Sequence, residues 1–320
     1  MRVKLVVWAL GMAAIAPAAT QAGSGAGQTP AVVVPITIES IQGHLRPVVE
    51  TRFNGHPMNM MIHSRADFYS QLKHHQAAAF GVTKVGGHRA YGIDNKGHVS
   101  DLGRDDGRVA TLAVGGHVDR DAAVSIFEVP QDSYGMLGIG WIRRNRVIVD
   151  YRRKQATIAP TSGESVAIGR RLVREGYAAL PMTYDATRSA YMVKATIRGV
   201  TRDMAVASAS SFSIDSELAK AAGIRHGADR GHGFGPTGKH VPDYALAEPV
   251  TVRIGDWTSP GIAVGEVSDN YGYSGLPRPA DPAQAEGGDL GGEFLLKTDA
   301  VIDFGQNVLF VRNGSAPRPK

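Results

Sequence analysis

The chain has 320 residues, 35 Lys and Arg against 30 Asp and Glu for a formal charge of +5, and no cysteine. The lack of thiols excludes a disulfide framework, a thiolate metal site and a cysteine nucleophile. The charge is too small and scattered for a nucleic-acid surface, since no Lys/Arg run with interleaved aromatics occurs. The two dense basic spots, Arg143-Arg144-Asn145-Arg146 and Arg152-Arg153-Lys154, read as a helix end and a solvated hairpin tip.

Residues 1–22 read as a signal peptide: Arg2 and Lys4, an apolar stretch from Leu5 to Ala16, then Thr20-Gln21-Ala22 as a small-residue cleavage site. The apolar run is short and followed by Pro17, whereas a membrane span needs about 20 apolar residues. The expectation is an exported chain, periplasmic or secreted, cleaved after Ala22, with no stable membrane span afterwards. Residues 23–32 form a flexible, Gly-rich leader.

Beyond the leader, the chain repeats itself. Asn54-Gly55, an apolar stretch ending at Ile62, then His63-Ser64-Arg65 are answered by Arg198-Gly199, a stretch ending at Val206, then Ala207-Ser208-Ala209. Each copy continues with a helix, predicted from about Ser70 to Phe80 and from about Asp215 to Ala222. Gly81 and Gly223 are the stop signals, since glycine enters the left-handed region without a Cβ clash. Tyr91-Gly92 through His98 and Phe234-Gly235 through His240 then read as matching hairpins with Gly-bearing turns.

Alternation marks strands at Val109–Val114 in the first copy and at Val250, Val252 and Ile254 in the second. Leu137-Gly138 and Leu290-Gly291 recur next. Each copy closes on a hairpin, Val147–Tyr151 returning through Ala156–Ile158 and Val301–Phe304 returning through Val308–Val311. Asp150 and Asp303 recur in register after three apolar residues. Their expected role is to bond backbone amides in the hairpin turns. The copies differ most at 268–288, a Pro/Gly-rich insertion long for a structureless loop. Its composition favours disorder over a binding surface built on Tyr271 and Tyr273.

The order of these parts resembles the retropepsin-like aspartic peptidase family, and two copies in one chain resemble its bilobal, pepsin-style members. The resemblance covers nearly all of residues 33–160 and 174–313, joined by a linker at 161–173 and followed by a tail at 314–320. It implies an all-β fold with minor helix, two lobes related by a pseudo-twofold axis, and a cleft between them. In the family the hairpins at Tyr91-Gly92 and Phe234-Gly235 are flaps over that cleft. The family's Asp-Thr-Gly motif falls on His63-Ser64-Arg65 and on Ala207-Ser208-Ala209, so neither copy has the catalytic aspartate. Two carboxylates sharing one proton carry the family's chemistry, and an alanine facing a histidine cannot replace them.

Ser64 and Ser208 fall on the family's Thr, whose hydroxyl locks the two loops together. Arg65 falls on a glycine. Its guanidinium would project into the cleft and favour carboxylate-bearing ligands, or pair with a surface carboxylate. The leading expectation is a pseudo-protease that binds an extended peptide or similar ligand. The alternatives are a hydrolase using His63 with Ser64 or Ser208, or carboxylates from outside the motifs, and a non-catalytic structural envelope module.

Asp67, four residues past His63, is a lone carboxylate because Ser211 takes its place in the second copy. No metal or other cofactor is expected: His74-His75, His232 and His240 lack the spacing of a zinc helix motif. Gly231 to Pro236 fails the dinucleotide fingerprint because it does not open a helix after a strand.

Overall fold

The structure, a computed structural model, describes residues 31–94, 96–130, 134–235 and 238–312. Residues 1–22, read above as a signal peptide, most of the leader and the 314–320 tail lie outside them.

Both copies begin with a tight hairpin. His44–Phe53 pairs with His56–Ile62, and Ala190–Ile197 pairs with Val200–Val206. Asn54-Gly55 and Arg198-Gly199 have positive φ at both turn residues, 48° and 87° in the first and 46° and 82° in the second. That conformation matches the right-handed twist of the flanking strands. A later strand then adds in parallel beside each motif strand, setting Ile62 opposite Leu137 and Val206 opposite Leu290.

Each of these leucines is followed by a glycine for a steric reason. A Cβ at Gly138 would lie 2.2 Å from the Phe68 carbonyl oxygen, and one at Gly291 would lie 2.0 Å from that of Ser211. The first copy assembles eight strands into one sheet, with Thr37–Ile41 and Thr83–Arg89 at its edges. The second divides its strands between two smaller sheets.

A further six-stranded sheet joins the halves. Its two central strands, Ile148–Asp150 and Val301–Asp303, are equivalent segments of the two copies. Ile148 pairs with Asp303, Val149 with Ile302 and Asp150 with Val301. Val149 thus meets its own counterpart and the residues on either side pair crosswise, as a twofold axis between Val149 and Ile302 requires. Gln155–Ile158 and Val308–Val311 flank this pair symmetrically, and Val32–Pro35 and Ala178–Pro181 close the edges.

Asp150 Oδ1 accepts the Arg153 amide, and Asp303 Oδ1 accepts those of Gly305 and Gln306. Both aspartates therefore hold hairpin turns. One apolar core runs through both copies, with Phe53, Met60, Trp141, Phe212, Phe294 and Leu309 among its fully buried members.

Three segments differ from their sequence patterns. The first helix begins at His74, not Ser70, because Ser70–Leu72 is captured as a buried strand against Ile126 and Met136. Alternation at Val250, Val252 and Ile254 buries all three side chains, yet regular pairing is confined to Arg253–Ile254 and a bridge from Val250 to Ile262. The 268–288 insertion is ordered: it holds a short helix at Asn270–Ser274 and a 3-10 turn at Pro282–Gln284. Arg278 fastens it, pairing with Asp215 at 2.8 Å and with Asp269 at 2.8 Å. Between the copies, residues 162–174 form a helix with a capping box between Thr161 and Glu164. No helix among the described residues is long and apolar enough to cross a membrane.

Candidate functional site

The two motif loops face each other across the pseudo-twofold axis and are locked by their serines. Ser64 Oγ donates to the Val206 carbonyl at 2.9 Å, and the Ser208 amide donates back to Ser64 Oγ at 2.9 Å. Reciprocally, Ser208 Oγ donates to the Ile62 carbonyl at 2.6 Å and accepts the Ser64 amide at 2.9 Å. Both serines are 0 % exposed. Four hydrogen bonds between segments more than 140 residues apart satisfy backbone groups that would otherwise be orphaned in the core.

Tyr151 supports the lock by donating to the Ser208 carbonyl at 2.8 Å. Because both hydroxyls are spent in this way, neither is free as a nucleophile. The pairing of His63 as base with Ser64 or Ser208, one of the hydrolase alternatives, has no geometric basis.

The residues before the serines are held by the neighbouring Leu-Gly strands. The His63 amide donates to the Leu137 carbonyl, and the Ala207 amide to that of Leu290. Ala207 is fully buried and carries no titratable group. His63 Nδ1 accepts the Arg65 amide at 3.3 Å, which places the ring proton on Nε2. Burial, with Arg46 and Arg65 adding like charge, lowers the imidazole to about 3. His63 is therefore neutral near pH 7, a hydrogen-bond donor through Nε2 and not a base.

Arg65 turns away from the axis into the second copy. Its guanidinium meets Glu286 at 2.8 Å and Asp289 at 3.4 Å, and Arg188 approaches Glu286 at 3.8 Å. The side chains of Arg65 and Glu286 are 15 % and 4 % exposed, so the pair is internal. Burial pushes the Glu286 carboxyl up, and the like charge of Asp289 acts in the same direction while Arg65 and Arg188 pull against them. Glu286 comes from the insertion, and its amide donates to the Tyr271 hydroxyl. Ala209, the matching third position, is buried and apolar.

The flaps are longer than their tips suggest. Thr83–Arg89 pairs with Arg104–Val114 in the first lobe, and His226–Phe234 pairs with His240–Leu246 in the second. Residues 91–94 and 96–98 lie at the end of the first flap, where the Asp94 carboxylate accepts the Lys96 and His98 amides. Gly92, at φ +92°, lies against the Glu128 backbone.

Tyr91 stacks edge-on with Phe127, and together with Phe68 these rings surround the Arg104 guanidinium at 5.2–5.8 Å. Asp67 is exposed and 3.7 Å from the same guanidinium, away from the lock. The flap tips meet, since the Cβ direction of Gly238 points onto Val99. Gly235 lies directly on the Tyr273 backbone, so the insertion packs beneath the second flap. Of Phe234 the backbone alone is described, at the end of its strand.

Several polar groups near the centre carry no motif and were invisible in the sequence. Ser211 Oγ contacts His44 Nδ1 across the lobes. Burial lowers His44 to about 4, with Arg46 and Arg230 acting the same way. Asp243 and Glu266, on paired strands, sit together, and Glu266 also reaches Ser211. Burial raises both carboxyls, Glu266 to about 8, with Asp243 as its next largest cause.

The folded chain thus keeps a proton here that the unfolded chain releases near 4.5. The stability tied to that proton is complete below the unfolded value and is lost as pH rises toward about 8. Thermal melts should therefore show Tm falling as pH rises through that window, and Glu266→Gln should flatten the slope. An equal slope in the variant would contradict the assignment.

A hollow of about 550 Å³ beside the first flap is lined by His74, Lys84, His88, Asp101 and Asp105. It contains none of the motif residues. There Asp105 is lowered to about 2 by its bonds to Lys84 and His88. Among the described residues no group of three or more His, Asp or Glu side chains is placed to hold a metal ion. His232 and His240 are cross-strand neighbours with ring centroids 6.3 Å apart.

The chain has the bilobal aspartic-protease fold. Among solved structures it is similar to the aspartic proteinase from Irpex lacteus, with a TM-score of 0.51 and 12 % identity over 89 % of this chain and 98 % of that one. A retropepsin-like aspartic protease from Rickettsia conorii matches at 13 % identity and a TM-score of 0.29, over 40 % of this chain and 89 % of that one. No family model and no curated protein matches the chain.

Proposed function

We propose that the chain is an exported relative of aspartic proteases that binds an extended peptide in the interlobe cleft without cleaving it. One observation supports the reading: the serine lock joins Ser64 and Ser208, and the residues that precede them in the two loops are His63 and Ala207. Acid-type hydrolysis needs an ionised carboxylate to activate water and a protonated one beside it. Ala207 can do neither, and the proton of His63 sits on Nε2 with Nδ1 already engaged.

What remains is the scaffold of a peptide groove. Flap backbone at Tyr91-Gly92 and Phe234-Gly235 can pair with an extended main chain, while side-chain pockets select the sequence. The apolar cluster of Val48, Met61, Phe68 and Phe127, with Tyr91 packed against it, supplies one such wall. Export is supported by the amino-terminal pattern through Ala22.

The test is fluorescence anisotropy with a diverse panel of labelled peptides and the mature protein. Saturable binding by a subset is expected. Gly235→Val should weaken it, because a side chain there would displace the flap from Tyr273. Binding by no peptide would sink the proposal and leave the structural envelope module.

A second reading has its own observation, the Asp243–Glu266 pair, which has the proton-sharing chemistry that the motif positions lack. It expects peptide cleavage that disappears in Glu266→Gln.

A further inference from the structure

Arg46, beside the motif loop, has no close ion-pair partner among the described residues, and Glu293 and Glu266 attract it from farther off. The pairing of Val48 with Met61, continued by two residues, sets Arg46 across from His63 on the same face of the sheet. Its one side-chain hydrogen bond among the described residues goes from Nη1 to the Met61 sulfur at 3.5 Å, a weak acceptor. Its Nε is buried and has no partner.

Among the described residues no carboxylate lies within salt-bridge distance of Arg46. Glu39, directly opposite on the next strand, is turned instead to Thr37 and Tyr134. An unpaired guanidinium withdrawn from water is costly, and the usual resolution is a partner anion.

Two more donors stand near it. His63 Nε2–H makes no hydrogen bond with the described residues. Tyr273, on the insertion, is 46 % exposed and is among the side chains near enough to act on Arg46. The fixed acids nearby do not replace a ligand. Glu293 accepts the Phe212 amide, and Glu266 shares its surroundings with Asp243.

We propose that the cleft centre is a carboxylate-binding site, in which Arg46, His63 Nε2–H and the Tyr273 hydroxyl hold an acidic group of the bound peptide. This rests on the reading of the cleft as a peptide groove and gives that groove its selectivity. Arg46 supplies the charge and a fork of donors that suits a carboxylate. His63 acts as a neutral donor in the place where the family's acid would repel an anion. Around the site the charged and titratable groups are Arg46 and His44 on one strand, His63 and Arg65 on the motif loop, and Asp243, Glu266, Glu293 and Arg230 from the second lobe.

The experiment compares three hexapeptides of one sequence by calorimetry: a central Glu with an amidated terminus, a central Gln with an amidated terminus, and a central Gln with a free carboxyl terminus. The Glu peptide, or the free-terminus peptide if the anchor is terminal, should bind about tenfold more tightly than the uncharged one. Arg46→Gln should erase that difference, and His63→Ala should reduce it by a smaller factor. Equal affinity for all three peptides, or a preference that survives Arg46→Gln, would overturn the site and leave the peptide groove standing.

If no peptide binds, the groove itself fails, and sodium succinate tests the site alone. A rise in Tm over sodium chloride at equal ionic strength, lost in Arg46→Gln, supports the anion site. The same Tm in both salts overturns it. Circular dichroism of each variant confirms that it is folded, and Arg46→Met serves as the replacement if the glutamine variant is not.

Discussion

Replacing Arg65 by Met should destabilise the protein by about 3–5 kcal/mol, the usual cost of stripping one partner from a buried ion pair. The loss comes from the carboxylates left behind. Glu286 and Asp289 would remain close together in the interior, with Arg188 at 3.8 Å as the nearest remaining cation.

The effect should carry a pH signature with a definite sign. Without Arg65 the Glu286 carboxyl, which burial already pushes up, takes up a proton still more readily in the folded chain than in the unfolded one. The deficit should therefore shrink on acidification and grow as pH rises. Glu286→Gln in the Arg65→Met background should restore part of the stability. Urea unfolding of the wild type and both variants at acid and neutral pH checks all of this. A neutral effect of Arg65→Met would mean that the network adds nothing to the join between the motif loop and the insertion.

The second large effect concerns the lock. Ser208→Ala deprives the Ser64 amide of its acceptor and the Ile62 carbonyl of its donor, both in the dry centre of the molecule. At about 1–3 kcal/mol for each buried group left unsatisfied, the cost should be about 2–6 kcal/mol. For a chain of this size that corresponds to a drop in Tm of roughly 5–10 °C.

Ser64→Ala should cost a similar amount through Val206 and Ser208. The double variant should cost less than the sum, because the first change already lets the two loops part. Strict additivity would show that the serines act independently and that no shared lock exists.

Much of this architecture was legible because the chain states it twice. The Asn54-Gly55 and Arg198-Gly199 turns, the Leu-Gly pairs, and Asp150 and Asp303 are local signals whose physical causes act within a few residues. Their recurrence in the same order implies the twofold sheet seen at Val149 and Ile302. The serines of the lock were legible for the same reason, through their matched places in the two motifs.

What was not legible depends on contacts between distant segments. The true partner of Arg65 is an internal glutamate 221 positions later, not a surface acid. The insertion reads as disordered by composition, yet Arg278 reaches back 63 residues to Asp215. Ser70–Leu72 carries no strand alternation and becomes a strand because its neighbours bury it on both faces. Arg46 looks like an ordinary strand residue until the register places it beside His63.

The reading of the cleft as a groove that holds but does not cut rests on His63 and Ala207 having replaced the acid pair. The most direct measurement is mass spectrometry of a diverse peptide mixture incubated with the mature protein from about pH 3 to about pH 8, the range in which carboxyl pairs and histidines titrate. The account predicts that every peptide keeps its intact mass, including those the protein binds. Reproducible cleavage by the pure protein, lost in Glu266→Gln or His63→Ala, would contradict it.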